Sequence, residues 1–496
     1  MVATAAGSAR SATTLPAALD GPLSRGVPAR RVPRPTAEPP DWSALRKRLD
    51  GRLLLPEDQG YGVARLGYNE LNDGHMPAAV ARCNSATDVR SCLDAARGHG
   101  VPIAARSGGH GYLGYSVPDG GLVMDLRPMA HVRVQPDGTV RIGAGARLIE
   151  VYAALAQAGR VLPGGTCPTV GISGLTLGGG IGVLTRKYGL TCDRLVSAQV
   201  VTADSRLLTA SACSEPDLYW ALRGGGGGNF GSVTEFTFRT EPTPPALTVF
   251  SLRFPAAATA SVIGAWQHWV AGAAPELWSN CVVSGGTSPT CRVGGCYVGT
   301  KDGLDPLLDR LIAAASAQPT SRTVLPKTYL ETMKYMAGCS NDTIAQCHPT
   351  SEGGRLPRAA FVAVSRVLTA PLDGQRVVGL MAGRAGVDLL LDSMGGAVSR
   401  LASDATAFPH RSASATAQIY ASTTPAGKPA ATAAVEAIRD GLGALGATGA
   451  YVNYIDASLP EWGTAYYGGN LPRLKKTSRH YDPDQVFAFP QSVARA

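Results

Sequence analysis

The 496-residue chain has no run of about 18 apolar residues, so no segment is long enough to cross a membrane as a helix. No Cys-x2-Cys pair occurs among its ten cysteines, which speaks against a structural zinc, and no metal site is expected. Gly-x4-Gly-Lys-Ser/Thr is missing, and no glycine-rich block forms Gly-x-Gly-x-x-Gly within a strand–turn–helix unit. The chain therefore carries neither a P-loop nor a Rossmann fingerprint. A basic helix interleaved with aromatics is also missing. The formal net charge is +9, yet residues 1–50 hold eight Arg/Lys against four Asp/Glu, so +4 sits there and +5 elsewhere. Nucleic acid and membrane are thus set aside as partners. No internal repeat is visible.

What is present is a globular composition. Apolar residues make up 45% of the chain and mean hydropathy is near zero. The length suits two or three domains, each with its own core. Residues 1–41, Pro-rich and poor in aromatics, read as a disordered extension. Asp41 is placed to cap a short amphipathic helix. From residue 42 to 243 strands and helices alternate. Ser85 opens a helix that ends near Gly98, Val101-Pro-Ile-Ala-Ala and Gly121-Leu-Val-Met-Asp-Leu read as strands, and Leu148 to Ala158 reads as a helix stopping at Gly159. Pro242, Pro244 and Pro245 mark a boundary. Residues 244–449 then mix strand-like segments, such as Leu247 to Phe254 and Ala359 to Ser365, with Ala-rich helices, which suits a sheet covered by helices. The aromatic- and Asn-rich residues 450–496 differ from that middle part and read as a return to the first.

Cys339 and Cys347 bracket a short loop and can pair, as can two of Cys281, Cys291 and Cys296. Pairing favours an oxidising compartment. Residues 1–40 show no apolar core of signal-peptide length, which favours the cytoplasm, so the compartment stays open.

Three glycine-rich blocks carry the chemistry: Arg106 to Gly111, Gly164 to Gly182, and Gly224 to Gly231. Glycines let backbone N–H groups approach a pyrophosphate and form an anion nest. The first block holds an imidazole, His110, and the second a thiol, Cys167. These two side chain types can attack an electron-poor ring near neutral pH.

The blocks Arg106-Ser-Gly-Gly-His-Gly-Tyr, Gly164-Gly-Thr-Cys-Pro-Thr-Val-Gly-Ile-Ser-Gly-Leu-Thr-Leu-Gly-Gly-Gly-Ile-Gly and Asp217-Leu-Tyr-Trp-Ala-Leu-Arg-Gly-Gly-Gly-Gly-Gly-Asn-Phe-Gly come in one order. Tyr451-Val-Asn-Tyr, Tyr466-Tyr-Gly-Gly-Asn-Leu-Pro-Arg-Leu and Asp482-Pro-Asp-Gln-Val-Phe follow. The set resembles the berberine-bridge-enzyme-like flavoproteins of the vanillyl-alcohol-oxidase superfamily. It covers residues 42–243 and 450–494 well and the middle only in outline.

The resemblance implies an α+β fold. An FAD-binding domain of two α/β subdomains spans 42–243, a substrate-binding domain with an antiparallel sheet covered by helices spans 244–449, and 450–496 returns to the FAD domain. It implies FAD held covalently, the flavin 8α-methyl on His110 and C6 on Cys167, with a raised potential suited to unactivated alcohols. Arg106, Ser107, Gly108, Gly109, Gly111, Val170, Gly171, Gly174, Gly179, Gly180, Gly182, Asn229, Tyr451 and Asn453 are the remaining cofactor-binding positions. Tyr451 and Tyr454 are the candidate bases, Asp392 the assisting carboxylate, and Tyr112, Gln418 and Tyr420 candidate pocket residues. An unperturbed phenol titrates near 10 and needs help to act as a base at neutral pH. Val170, three residues after Cys167, goes in the family with oxygen access. Ile181 departs from the tyrosine that several sugar- and antibiotic-oxidising relatives carry there.

The implied activity is that of a monomeric oxidase that takes two electrons from a hydroxyl-bearing carbon of a natural-product or glycosylated small molecule and gives H2O2 from O2. Two alternatives share the cofactor residues: an oligosaccharide oxidase forming a lactone, and a desaturating or cyclising oxidase of berberine-bridge type. The last would use a middle-domain carboxylate as base.

Overall fold

Asp41 accepts a hydrogen bond from Ala44 N at 2.9 Å and starts the helix Trp42–Arg48, whose Leu45 is fully buried. The computed structural model describes residues 40–496, and the extension expected over residues 1–41 falls outside the described residues up to residue 39. Ser85 Oγ caps the helix Ala86–Arg97 by accepting from Asp88 N at 3.2 Å. The apolar runs on either side form strands. Ala79–Arg82 and Ile103–Arg106 flank Leu122–Asp125 in parallel, and Arg52–Leu54 closes this four-stranded sheet antiparallel at one edge. Leu122–Asp125 is buried throughout, as a central parallel strand must be.

A second, five-stranded antiparallel sheet follows in the order Val132–Val134, Thr139–Gly143, Ser232–Arg239, Leu195–Val201, Leu207–Ser211. The helix Leu148–Gln157 packs beside it. One hydrophobic core runs through both sheets, and Tyr466, Tyr467, Leu474 and Phe487 from the end of the chain lie in it.

Residues 247–422 supply a seven-stranded antiparallel sheet in the order Ser321–Lys327, Leu247–Arg253, Thr290–Tyr297, Leu277–Ser284, Val387–Ser393, Ala415–Ser422, Phe361–Leu368. A second core joins one face of this sheet to the helices Thr259–Ala271, Lys301–Ala315, Gly374–Met381 and Lys428–Ala444. Strict alternation along Val387–Ser393 buries Leu389 and Leu391 in that core and turns Asp388, Leu390 and Asp392 to the opposite face. The fold is α+β, and the face of this sheet turned away from these helices carries Leu247, Trp278 and Cys296 into the first core.

Cys339 and Cys347 form a disulfide. The alternative pairing among Cys281, Cys291 and Cys296 is not formed, and all three are free. Their strand positions explain this: Cys281 opposes Val293 and Cys291 opposes Val283, so the two thiols are diagonal neighbours beyond disulfide reach. Among the described residues no helix is long and apolar enough to cross a membrane.

Candidate active site

The strand Ile103–Arg106 ends in an ion pair. The Arg106 guanidinium is 1% exposed, lies 3.1 Å from the Asp125 carboxylate and donates to Ala64 O at 2.6 Å. Burial alone would raise the Asp125 pKa; Arg106 and Arg127 outweigh it and hold the carboxyl at about 2. From this anchor the chain turns through Ser107 to His110. The turn presses closely on the second glycine-rich block: a Cβ on Gly108 would lie 2.3 Å from Gly171 N, and one on Gly171 would lie 2.1 Å from Ser107 Oγ and 2.2 Å from Gly108 N. This backbone contact brings His110 and Cys167 to the same place.

The two are joined by a third residue. His110 Nε2 lies 2.8 Å from Thr169 Oγ1, and Thr169 Oγ1 lies 3.6 Å from Cys167 Sγ. On its face the imidazole carries the Tyr68 ring, with centroids 4.0 Å apart and planes at 18°. Tyr68 is delivered there by its loop, since Tyr68 N donates to Gly109 O and the Asn69 amide donates to both Tyr112 O and Phe361 O. Burial, helped by the Arg147 charge, lowers His110 to about 3, so the ring is neutral. Burial raises the Cys167 thiol, against the Thr169 hydroxyl and the N–H groups of Thr169 and Val170.

His110 and Cys167 open into a cavity of about 820 Å³ that reaches the face of the seven-stranded sheet turned away from its helices. There Asp392 lies opposite Asn280 and Leu390 opposite Gln418. Burial pushes the Asp392 carboxyl up to about 6, with the Asn280 amide opposing. Gln418 Nε2 donates to Tyr112 Oη. Tyr112 stacks on Tyr454 at 5.7 Å and meets Phe361 edge-on, while Tyr420 stacks on Phe361 at 4.8 Å. Burial, then the neighbouring Tyr112 and the charge of Asp392, drive the Tyr454 phenol well above its ordinary range.

The two candidate bases part company here. Tyr451 is 2% exposed, and its Oη accepts from Gly180 N and from the Asn453 amide, each at 2.9 Å. It packs with Ile181 and Phe408 and pins the Gly-rich turn to the end of the chain. Both tyrosines line the cavity, but Tyr454 lies beside Tyr112 and Asp392, and among the described residues no hydrogen bond engages its phenol. Along the same cavity lie Ser107, Gly108, Gly109, Gly111, Val170, Gly171, Gly174, Gly182, Asn229 and Asn453. Arg106, Gly179 and Gly180 lie behind it and shape the turns.

The FAD binding domain family matches residues 77–211, and the berberine and berberine like family matches residues 450–494. The FAD-linked oxidoreductase YgaK of Bacillus subtilis is 35% identical over 460 residues, covering 90% of this chain and 98% of the relative. The chain belongs to the berberine-bridge-enzyme-like FAD-linked oxidoreductases. Among solved structures, the BBE-like 1 protein of Physcomitrella patens superposes with a TM-score of 0.86 at 30% identity, over 92% of this chain and 99% of that one. The glucooligosaccharide oxidase of Acremonium strictum, which carries a 6-S-cysteinyl, 8α-N1-histidyl FAD, has a TM-score of 0.81 at 26% identity over 92% and 99%.

The cavity of this family member fits FAD on its own geometry. A Cβ on Gly111 or Gly174 would meet no protein atom within 4 Å, so the glycines face open space that a ligand can fill. Ser232 Oγ and Gln491 Oε1 are buried beside it with no partner among the described residues, and both line the cavity. These two polar groups, Tyr68 and Thr169 escape a reading of the sequence. Ser232 and Gln491 lie outside the glycine runs, and Tyr68 is brought to His110 only by the Asn69 loop. Thr169 stands within Cys-Pro-Thr-Val, where a hydroxyl two residues after the thiol was the available signal.

Proposed function

We propose that this enzyme oxidises a hydroxyl-bearing carbon of a carbohydrate or glycosylated natural product and returns the electrons to O2 as H2O2. One observation carries the reading: Asp392, Tyr454, Tyr112 and Gln418 meet in the same cavity as His110 and Cys167. Residues 42–243 with 450–496 form the FAD-binding part and residues 244–449 the substrate part. His110 holds the cofactor at the 8α position and Cys167 at C6, with the glycine-rich turns along its length. Bound there, FAD supplies the two-electron acceptor that side chains lack.

The chain's own residues handle the proton and the pose. Oxidation of a carbinol requires loss of its O–H proton, so a base must stand within hydrogen-bond reach. Tyr454 takes that part. Its phenol is neutral at working pH, so accepting the carbinol proton requires giving up its own, and the ionised Asp392 carboxylate in the same cavity is the group that takes it. Tyr112, fixed by Gln418, and Tyr420 on Phe361 offer flat apolar faces to a sugar ring or an aglycone. Val170 is the small side chain that leaves room for O2. Tyr451 keeps the Gly179 to Ile181 turn in place.

A second reading rests on Asp392. A buried carboxyl at about 6 is itself suited to remove a proton near neutral pH, as a berberine-bridge-type oxidase requires. The test is a peroxide-coupled screen of oligosaccharides and glycosides with the wild type, Tyr454→Phe and Asp392→Asn. Loss in both variants supports Tyr454 as the base. Loss only in Asp392→Asn moves the role to the carboxylate, and no peroxide from any hydroxylated substrate overturns the oxidase reading.

A further inference from the structure

Thr169 occupies a position that neither the cofactor's acceptor chemistry nor the substrate end explains. It is 2% exposed, and its single hydroxyl touches both attachment residues, His110 Nε2 at 2.8 Å and Cys167 Sγ at 3.6 Å. A hydroxyl has one proton to give and lone pairs to accept with, so the two contacts cannot be set independently. They form a chain with a direction.

The direction follows from the imidazole. A neutral ring carries one proton. Tyr68 covers the ring face and Thr169 engages Nε2, leaving Nδ1 as the nitrogen for bonding. Nδ1 attacks only with a free lone pair, so the proton must be on Nε2, which then donates to Thr169 Oγ1. With that lone pair filled, the Thr169 proton turns to Cys167 Sγ and favours the thiolate, the form in which sulfur is nucleophilic. The N–H groups of Thr169 and Val170 reach the same sulfur. In the opposite direction, the thiol donates to Oγ1, Oγ1–H donates to Nε2, and the ring proton sits on Nδ1. Both nucleophiles are then blocked.

We infer that Thr169 arms both covalent attachments of FAD together, through one hydrogen-bond chain running from His110 Nε2–H through Oγ1–H to Cys167 Sγ. The inference rests on the attachment through His110 and Cys167 proposed above. Each attachment balances in the same way. The N–C8α or S–C6 bond forms and the C–H bond at that carbon breaks. One proton leaves that carbon and one leaves the nucleophile, from Nε2 or from the thiol. The electron pair of the broken C–H bond reduces O2, and with the two protons gives one H2O2 per attachment. Thr169 acts through its neighbours and is a positioning residue.

The experiment compares wild type, Thr169→Val and Thr169→Ser as flavoproteins purified at successive times after expression is induced, so that the growth of each attachment gives its rate. Flavin retained after acid precipitation, flavin peptides from a digest and alkylation of Cys167 by iodoacetamide are measured, none of which depends on turnover. In the wild type the peptides of His110 and Cys167 are expected to be joined through one flavin. In Thr169→Val the rate of Cys167 attachment is expected to fall roughly ten- to a hundredfold, the range of a hydrogen bond to a charged group. Attachment at His110 slows as well, and Thr169→Ser restores both. Thr169→Ala carries the same expectation if valine is not accommodated, with visible flavin absorbance and melting temperature as the check of folding. Equal attachment at equal rates in wild type and Thr169→Val overturns the role of Thr169. Release of all flavin from the wild type by acid overturns the attachment reading instead, whatever the variants do.

Discussion

On the proposed reading, Asp392 should set the pH dependence of substrate capture. Its carboxyl is held at about 6 by burial, against an ordinary 3.8, and both assignments of the base need it ionised. The ionised fraction is close to complete at pH 8, about one-tenth at pH 5 and about one-hundredth at pH 4 for a group at this pKa. The value of kcat/KM, which reports the free enzyme, should therefore fall about a hundredfold from pH 8 to pH 4, with its midpoint near 6. His110 also lines the cavity; before any flavin is attached, burial with the Arg147 charge moves its imidazole to about 3, well clear of this limb. His410, buried outside the cavity, sits at about 4. Asp392→Asn should lower the plateau and abolish the limb near 6. The assay is initial rate of flavin bleaching under anaerobic conditions at subsaturating substrate, over pH 4 to 8. A wild-type profile flat through pH 6 refutes the argument, as does a limb that survives in Asp392→Asn.

Three further changes separate roles that share this region. Tyr454→Phe should cost at least about a hundredfold in kcat, the scale of a lost general base, with flavin content unchanged by absorbance. Tyr451→Phe removes an acceptor from Gly180 N and the Asn453 amide, so it should lower the melting temperature and the retained flavin before it affects the pH profile. Asp125→Asn leaves the buried Arg106 guanidinium without its counter-charge and should destabilise the fold by about 3–5 kcal/mol in a denaturant titration. The wild-type carboxyl is depressed to about 2, so the stability it contributes is complete above about 4 and fades only as pH falls through 2.

What is legible in the sequence is local or concentrated in a motif. The caps at Asp41 and Ser85 announce their helices because a side-chain oxygen next to an amphipathic run has few other uses. His110 and Cys167 stand inside glycine runs whose only economical purpose is close backbone approach, and Gly108 meets Gly171 as such an approach requires. The choice between Tyr451 and Tyr454 was not legible. Both belong to one four-residue motif, and what distinguishes them is a hydrogen bond to Gly180, 271 residues away in sequence. Tyr68 was invisible for a related reason, since nothing in a lone tyrosine predicts that an asparagine beside it will bridge Tyr112 and Phe361. The thiols of the middle part misled because spacing along a strand says nothing of which residue lies across from it. Cys281 and Cys291 are close in the sheet, yet the register sets each against a valine.

That same register divides the middle sheet into a face buried under helices and a face that lines the cavity, and with the proposed substrate role the division predicts how the family member can change specificity. Arg292, Val282, Leu390 and Gln418 stand in one cross-strand row, and Gly294, Asn280, Asp392 and Thr416 in the next. Arg292, Leu390, Gln418, Asn280 and Asp392 line the cavity, whereas their neighbours along the strands, Leu389, Leu391, Ile419 and Cys281, are fully buried under the helices. One residue of displacement along a strand therefore exchanges the two roles. Leu391→Ala should leave KM near the wild-type value and cost about 2–5 kcal/mol of stability, the range for an emptied leucine site in a core. Leu390→Ala removes a half-buried side chain whose neighbours are Gln418 and the open cavity, so its cost in stability should be under about 1 kcal/mol. Its effect should appear as a changed KM ranking across a panel of substrates that differ in bulk. Both variants are measured by chemical denaturation and by substrate titration. If Leu390→Ala unfolds the protein as readily as Leu391→Ala and leaves the ranking intact, the cavity face is structural and the substrate is held elsewhere.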